Sequence, residues 1–217
     1  MLTMKIKNQL REILKLYLVT DRNIIKNRNF LDIIEQAIIG GVTIVQLREK
    51  NVDAKEYIEK AEELKPILQK YDIPLIINDR VDVAFAVNAD GVHLGQSDLP
   101  IKYARKILGD EKIIGISANN VEQAIEAEKS GADYIAISPV FFTSTKPDID
   151  PPVGIEGIKK IKEVVKCPLV GIGGINKENA FSVIKAGCDG IAVVSAIMAA
   201  ENPRIAAKEL IDIVNKV

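Results

Sequence analysis

From Leu16 to Val214 the chain alternates short apolar runs with longer amphipathic stretches, and no linker interrupts the rhythm. The runs are Leu16–Thr20, Val42–Leu47, Ile73–Ile77, Gly91–Leu94, Lys112–Ile116, Tyr134–Ile137, Leu169–Ile172 and Ile191–Val194. They read as buried parallel strands, since a sheet covered by helices on its outer face produces apolar runs rather than strict alternation. A turn pattern recurs ahead of three of them: Asn88-Ala89-Asp90-Gly91, Ser130-Gly131-Ala132-Asp133 and Ala186-Gly187-Cys188-Asp189-Gly190. Each is the join that a βα repeat requires.

Between the runs the apolar residues fall at helical spacing. Phe30 to Ile39 is a helix ended by Gly40-Gly41, and Asp53 to Tyr71 is a long one that Pro66 is expected to kink or divide. Further helices are expected near 81–87, over Val121–Lys129, Ile155–Val165 and Lys177–Lys185, and from Pro203 to Val214. Ile6, Leu10, Ile13 and Leu14 make a short amphipathic lead. Eight strands alternating with helices over 217 residues is the arithmetic of an α/β protein, a (β/α)₈ TIM barrel in a single domain over 1–217 with a short N-terminal helical lead. An open doubly wound sheet is the competitor, but no GxGxxG follows the first strand.

Composition removes several function classes. Lys+Arg 29 against Asp+Glu 30 gives no basic footprint for nucleic acid or an acidic membrane, and 5% aromatics leaves no stacking platform for single strands. No apolar run reaches membrane-spanning length. The two isolated cysteines, Cys167 and Cys188, form no CxxC and are expected to be free thiols in a cytoplasmic protein. With His93 the sole histidine, a zinc site of ordinary composition is excluded.

In such a barrel the chemistry belongs at the carboxyl ends of the strands. Strand two ends in Gln46-Leu47-Arg48-Glu49-Lys50, strand three in Asn78-Asp79, and strand four leads to Gln96 and Asp98. Two carboxylates one strand apart at a single rim suit Mg²⁺ with water and phosphate oxygens completing its shell. The simpler alternative is that Asp79 and Asp98 N-cap the helices that follow. Strand five ends in Ser117, strand six in the stretch Ser138 to Lys146, strand seven in Gly173-Gly174, and strand eight in Val194-Ser195. The last two ends are where barrels of this kind bind a phosphate. Arg48, Lys50 and Lys146, pooled with the aspartates, suit a metal-bound polyphosphate. A diphosphate site beside a monophosphate site implies displacement of pyrophosphate by a phosphorylated nucleophile. No strand carries a lysine placed for a Schiff base, and no Ser–His–Asp or Cys–His set is present.

Those motifs, with Gly91-Val92-His93-Leu94-Gly95-Gln96-Ser97-Asp98, Pro139 to Lys146 and Gly171 to Ile175, resemble the thiamine-phosphate synthase (thiamine-phosphate pyrophosphorylase) family from Leu16 to the last helix. The resemblance implies a transferase of thiamine biosynthesis that joins hydroxymethylpyrimidine diphosphate to a thiazole phosphate. It implies that Gln46, Leu47, Arg48, Glu49, Lys50, Asn78, Ser117 and Lys146 bind the pyrimidine diphosphate. Ser117 and Lys146 are in addition its expected catalytic residues. Asp79 and Asp98 would hold Mg²⁺, and Thr143, Ser144, Thr145, Gly174, Val194 and Ser195 the thiazole phosphate.

The implied mechanism is dissociative, with pyrophosphate leaving before the thiazole nitrogen captures the methylene cation. Its partners are these small molecules, with neither nucleic acid nor membrane, and a homo-oligomer is compatible with it. Asn119 departs from the family, which often has histidine there. His93 is expected to be a satisfied barrel residue rather than a base. A thiazole tautomerase on the same scaffold, a non-catalytic phosphate-binding regulator, and a phosphosugar isomerase with Glu49 as base are the alternatives.

Overall fold

A computed structural model describes residues 9–143 and 151–216. Its eight strands are β1 Leu16–Val19, β2 Ile44–Leu47, β3 Leu75–Asn78, β4 Gly91–Leu94, β5 Ile113–Ala118, β6 Tyr134–Ile137, β7 Leu169–Ile172 and β8 Gly190–Val193. They pair in sequence order, all parallel, and the ring closes where Leu16 of β1 lies opposite Ile191 of β8. This is the (β/α)₈ barrel that the alternating pattern predicts.

The helices are α1 Leu10–Ile13, α2 Phe30–Gly40, α3 Ala54–Lys70, α4 Val81–Ala86, α5 Ile101–Leu108, α6 Val121–Lys129, α7 Gly154–Val164, α8 Ala180–Lys185, α9 Ser195–Met198 and α10 Pro203–Val214. Side-chain caps start four of them: Asn29, Asp53, Asn120 and Asn202 each accept the N–H three residues on, at 2.8–3.0 Å. Gly41, at φ +117°, closes α2 in a conformation that a β-carbon would oppose. Pro66 does not divide α3, which runs as one helix of 17 residues. The proline lies on the solvent face, where water can satisfy the carbonyl that its missing N–H leaves behind.

The recurring turn has a physical purpose. Asp90, Asp133 and Asp189 each accept the backbone N–H of Leu75, Ile114 and Leu169, at 2.9, 2.8 and 2.9 Å. Each also donates its own N–H back to the carbonyl of that same residue. Thr43 does the equivalent for Leu16, through its hydroxyl. Each even-numbered strand is thus clamped to its predecessor just before it enters the barrel. Gly190 follows one such clamp because a β-carbon there would stand 1.9 Å from the Leu14 carbonyl oxygen.

Two apolar cores result. The larger lies between sheet and helices. The smaller fills the barrel, where Tyr17, Ile44, Ile76, Ile113, Tyr134 and Val170 pack inward over Leu10 of α1 and Leu14, which caps it. The amphipathic lead therefore plugs the amino-terminal end of the barrel, with Leu14 fully buried; Ile6 lies outside the described residues. At the opposite end the interior is open.

Candidate active site

A cavity of about 470 Å³ opens at the carboxyl ends of the strands, and all eight contribute to its wall. Val19, Gln46, Asn78, His93, Ser117 and Ile172 line it from six of them. Its floor is polar although it lies deep in the barrel. Gln46 Nε2 donates to the Tyr17 hydroxyl at 2.9 Å, which lies 2.9 Å from the Tyr134 hydroxyl. Tyr134 in turn meets His93 Nδ1 at 2.8 Å, and His93 Nε2 lies 2.9 Å from Ser117 Oγ. Burial pushes both phenols well above their ordinary range, so they remain protonated. His93 is a satisfied barrel residue, as its strand context predicts.

On one side of the mouth stand charged groups from β2, β3 and β4. Arg48 lines the cavity and sits 3.8 Å from Asp21. Lys50 Nζ donates to Asp79 Oδ2 at 2.5 Å. Asp79 occupies left-handed backbone, φ +63°, a conformation that aspartate tolerates better than most residues and that recurs at functional turns. That turn is held by the Asp79 N–H donating to the His93 carbonyl at 2.8 Å. Asp98 accepts the Gly95 N–H at 2.6 Å and its carboxyl is hydrogen-bonded to that of Asp79.

Neither aspartate caps a helix, because α4 and α5 begin after Arg80 and Pro100, with no side-chain cap. Burial pushes both carboxyls up. In Asp79 the Lys50 ammonium and the bond to Asp98 outweigh burial, and the group ends below its ordinary range. Asp98, facing the charge of Asp79, ends above.

The other side of the mouth is built from β6, β7 and β8. Gly173 and Gly174 take φ +99° and +66°, and a β-carbon on Gly174 would stand 2.4 Å from the Phe142 carbonyl oxygen. The turn after β7 is therefore a bare-backbone surface. Facing it, Ser195 opens the short helix α9 immediately after Val194. Thr143 completes this wall.

The profile of the family described as thiamine monophosphate synthase matches residues 16–197. The chain belongs to that family. It is 56% identical to a thiamine-phosphate synthase of Clostridium novyi over 92% of this chain and 98% of the relative. For one of Clostridium acetobutylicum the identity is 54%, over 93% and 95%. A solved thiamine phosphate pyrophosphorylase from Pyrococcus furiosus superposes with a TM-score of 0.87 at 46% identity, covering 95% of this chain and 98% of that one. The activity is accordingly that of a thiamine-phosphate synthase, a transferase.

The thiamine-phosphate synthase residues expected from sequence fall into four groups. Gln46, Arg48, Asn78, Ser117, Thr143, Gly174, Val194 and Ser195 line the cavity, and Lys50, Asp79 and Asp98 stand at its rim. Leu47 and Glu49 do not reach it. Leu47 is fully buried in the outer core, as alternation along β2 requires. The Glu49 carboxylate is nearly buried between Arg22 at 2.8 Å and Lys60 at 3.1 Å, which ties β2 to α3 and removes it as a base. Ser144, Thr145 and Lys146 lie outside the described residues.

Asn119, where the resemblance led us to expect histidine, accepts from Asn120 Nδ2 at 2.8 Å. Ser138, expected at the end of strand six, lines the cavity, as does Tyr17, while Tyr134 lies buried behind the floor; neither tyrosine was among the expected site residues. Both tyrosines occupy inward positions of buried strands.

The Asp79–Asp98 pair fits a divalent cation: two adjoining carboxyls, oxygen donors whose like charges a cation would neutralise, at the edge of a phosphate-sized cavity. Among the described residues no cluster of three or more His, Cys, Asp or Glu forms a fuller cage.

Proposed function

We propose that this transferase condenses hydroxymethylpyrimidine diphosphate with a thiazole phosphate, carboxylated or not, in a Mg²⁺-dependent reaction that releases pyrophosphate. The observation that carries it is the partition of the cavity mouth. Arg48, Lys50 and two carboxylates line one side, and a glycine turn with Ser195 lines the other. That arrangement suits a diphosphate and a monophosphate held across one floor.

In this reading Gln46 and Ser117 orient the pyrimidine ring between them, and the buried tyrosines keep bulk water from beneath it. Arg48 and Lys50 hold the leaving diphosphate, with Lys146 joining them on the strength of the family resemblance. Mg²⁺ bound by Asp79 and Asp98 would supply neutralisation of the diphosphate oxygens. The C–O bond breaks first, its electron pair leaving with pyrophosphate, and the electron-rich aminopyrimidine carries the positive charge on its methylene. The thiazole nitrogen, held by its phosphate at Gly174 and Ser195, then adds to that carbon. The chain positions the two partners and stabilises the charge that grows on the leaving group.

Pyrophosphate release is the test. Turnover should require both substrates and Mg²⁺, and should cease with a chelator. Release from the pyrimidine diphosphate alone at the same rate, or full turnover in excess chelator, contradicts the reading. The buried ion pairs of Glu49 argue against isomerase chemistry at that residue.

A further inference from the structure

Beyond the last rung of the sheet, β1 and β2 go on pairing through side chains. Their register sets Val19 against Gln46. One step on, the Thr20 N–H donates to the Gln46 carbonyl at 3.0 Å, and the Arg48 N–H donates to the Thr20 hydroxyl at 3.0 Å. The next residues pair as charges. The nearly buried Asp21 carboxylate lies 3.8 Å from the Arg48 guanidinium, and Arg22 Nε donates to Glu49 Oε1 at 2.8 Å.

Glu49 is the most firmly held of these groups. Its side chain is 6% exposed, although it lies between Arg48 and Lys50, which stand at the cavity mouth. Arg22 grips one carboxylate oxygen from the loop after β1, and Lys60 Nζ donates to the other at 3.1 Å from α3. Arg22 is itself fixed, with its guanidinium carbon 3.6 Å from the centroid of the Phe30 ring. Tyr57, one turn before Lys60 on α3, secures the backbone of the same segment. Its hydroxyl donates to the Leu47 carbonyl at 2.6 Å and is hydrogen-bonded to the Glu49 backbone. None of Arg22, Tyr57 and Lys60 lines the cavity.

A carboxylate so nearly buried is tolerated only while cations stay against it. Glu49 therefore turns outward onto α3, and the residues on either side of it turn to the mouth. Arg48 and Lys50 are long side chains that lose rotamer freedom when they grip a ligand, and a fixed backbone between them lowers the cost of that ordering. We infer that Arg22 and Lys60 are positioning residues for the diphosphate side of the mouth, acting through Glu49 to fix the segment from which Arg48 and Lys50 reach the ligand. This rests on the assignment of that side to a diphosphate made above.

Positioning and simple charge predict opposite signs. Glu49 is an anion near the place of an anionic ligand, so by charge alone Glu49→Gln should tighten binding. As the anchor of the segment, its replacement should weaken binding. Calorimetric titration with magnesium pyrophosphate reads the difference. Glu49→Gln should bind it about tenfold more weakly, the scale of one lost hydrogen bond to a charged group. Unchanged or tighter binding overturns the inference. Arg22→Met keeps the side-chain stem over Phe30 and removes the cation, and should weaken binding by a similar factor. That loss should persist at about 0.5 M salt, where the field of a distant charge is screened within a few Å; a loss that vanishes there overturns the positioning role. In both variants the KM for the pyrimidine diphosphate should rise and that for the thiazole phosphate should not, whereas equal rises would show a general loosening. Should one variant fail to fold, the other carries the same test. Arg48→Met is the control for the assignment itself. If it too leaves pyrophosphate binding intact, the diphosphate assignment fails and the inference falls with it. If Arg48→Met binds weakly while Glu49→Gln and Arg22→Met bind normally, the inference alone is overturned.

Discussion

Asp79 sits in a turn where its backbone is left-handed and its carboxylate reaches both Lys50 and Asp98. Asparagine tolerates that backbone as well as aspartate does, so Asp79→Asn leaves the turn intact while removing a charge. Asp98→Asn likewise keeps an oxygen to accept the Gly95 N–H. Both variants should melt near the wild type. Turnover should fall by orders of magnitude, since weaker neutralisation of the leaving group costs several kcal/mol of barrier, and high Mg²⁺ should restore it only in part. A Mg²⁺ titration of kcat checks this, and near-normal turnover with an unchanged Mg²⁺ midpoint in both would remove the metal role. These two residues were legible in sequence because each ends an apolar run abruptly in carboxylate. Their relation was not, because a contact between side chains in the loops after neighbouring strands depends on the register of those strands. Tyr17, Tyr134 and His93 were harder still, for each lies inside an apolar run and its partners are on other strands.

The clamps of Asp90, Asp133 and Asp189 belong to the strand–turn–strand element, and they were visible in sequence only as turn punctuation. Each acceptor's donor lies on the preceding strand, 15 to 20 residues upstream, so no local pattern announces it. Asp90 gives the sharpest test. Burial pushes its carboxyl above the ordinary range despite the bond from Leu75, so the folded protein holds that proton more tightly than the unfolded chain does. The group's stabilising contribution is thus greatest at acid pH, and is lost as pH rises through its folded pKa.

Asp90→Asn keeps an acceptor without the charge, and should match or exceed wild-type melting temperature near pH 7.5. Its advantage should vanish as the pH falls into the carboxyl range. Asp90→Ala should cost about 1–3 kcal/mol, the penalty of an unsatisfied buried N–H, with kcat unchanged at the far end of the barrel. Thermal melts at two pH values decide it; a destabilised asparagine variant at pH 7.5 would contradict it. Other elements departed from expectation for equally local reasons. Helix α9 has four residues, too few to show a period, and β5 continues through Ser117-Ala118, where polarity suggested an end.

At the scale of the whole molecule the alternating pattern sufficed for the barrel, because closure of eight parallel strands is the compact arrangement that buries every run at once. The cavity wall was legible to the extent that strand ends were, since all eight strands supply it. Global integrity has a built-in reporter. Cys167 and Cys188 are buried free thiols, each pushed by burial up to about 12, so almost none is thiolate at pH 8. Iodoacetamide should leave both unmodified in native buffer and label both across one urea transition that coincides with loss of circular dichroism. Labelling of either thiol in native buffer would show that its region opens separately.

The pairing of β1 with β8 has a consequence in time. As the chain emerges from the ribosome, β1 to β5 can align in order, and with them the rim that carries Arg48, Lys50, Asp79 and Asp98. The outer edge of β1, however, waits for a strand that begins at Gly190. Until then its backbone amides stay open to any passing strand, the exposure through which incomplete sheets aggregate. The glycine turn after β7 and Ser195 after β8 are made last, so the half of the cavity that completes the site arrives together with the strand that seals it. An enzyme assembled in this order has no active precursor: the first molecule able to turn over is also the first with no free edge.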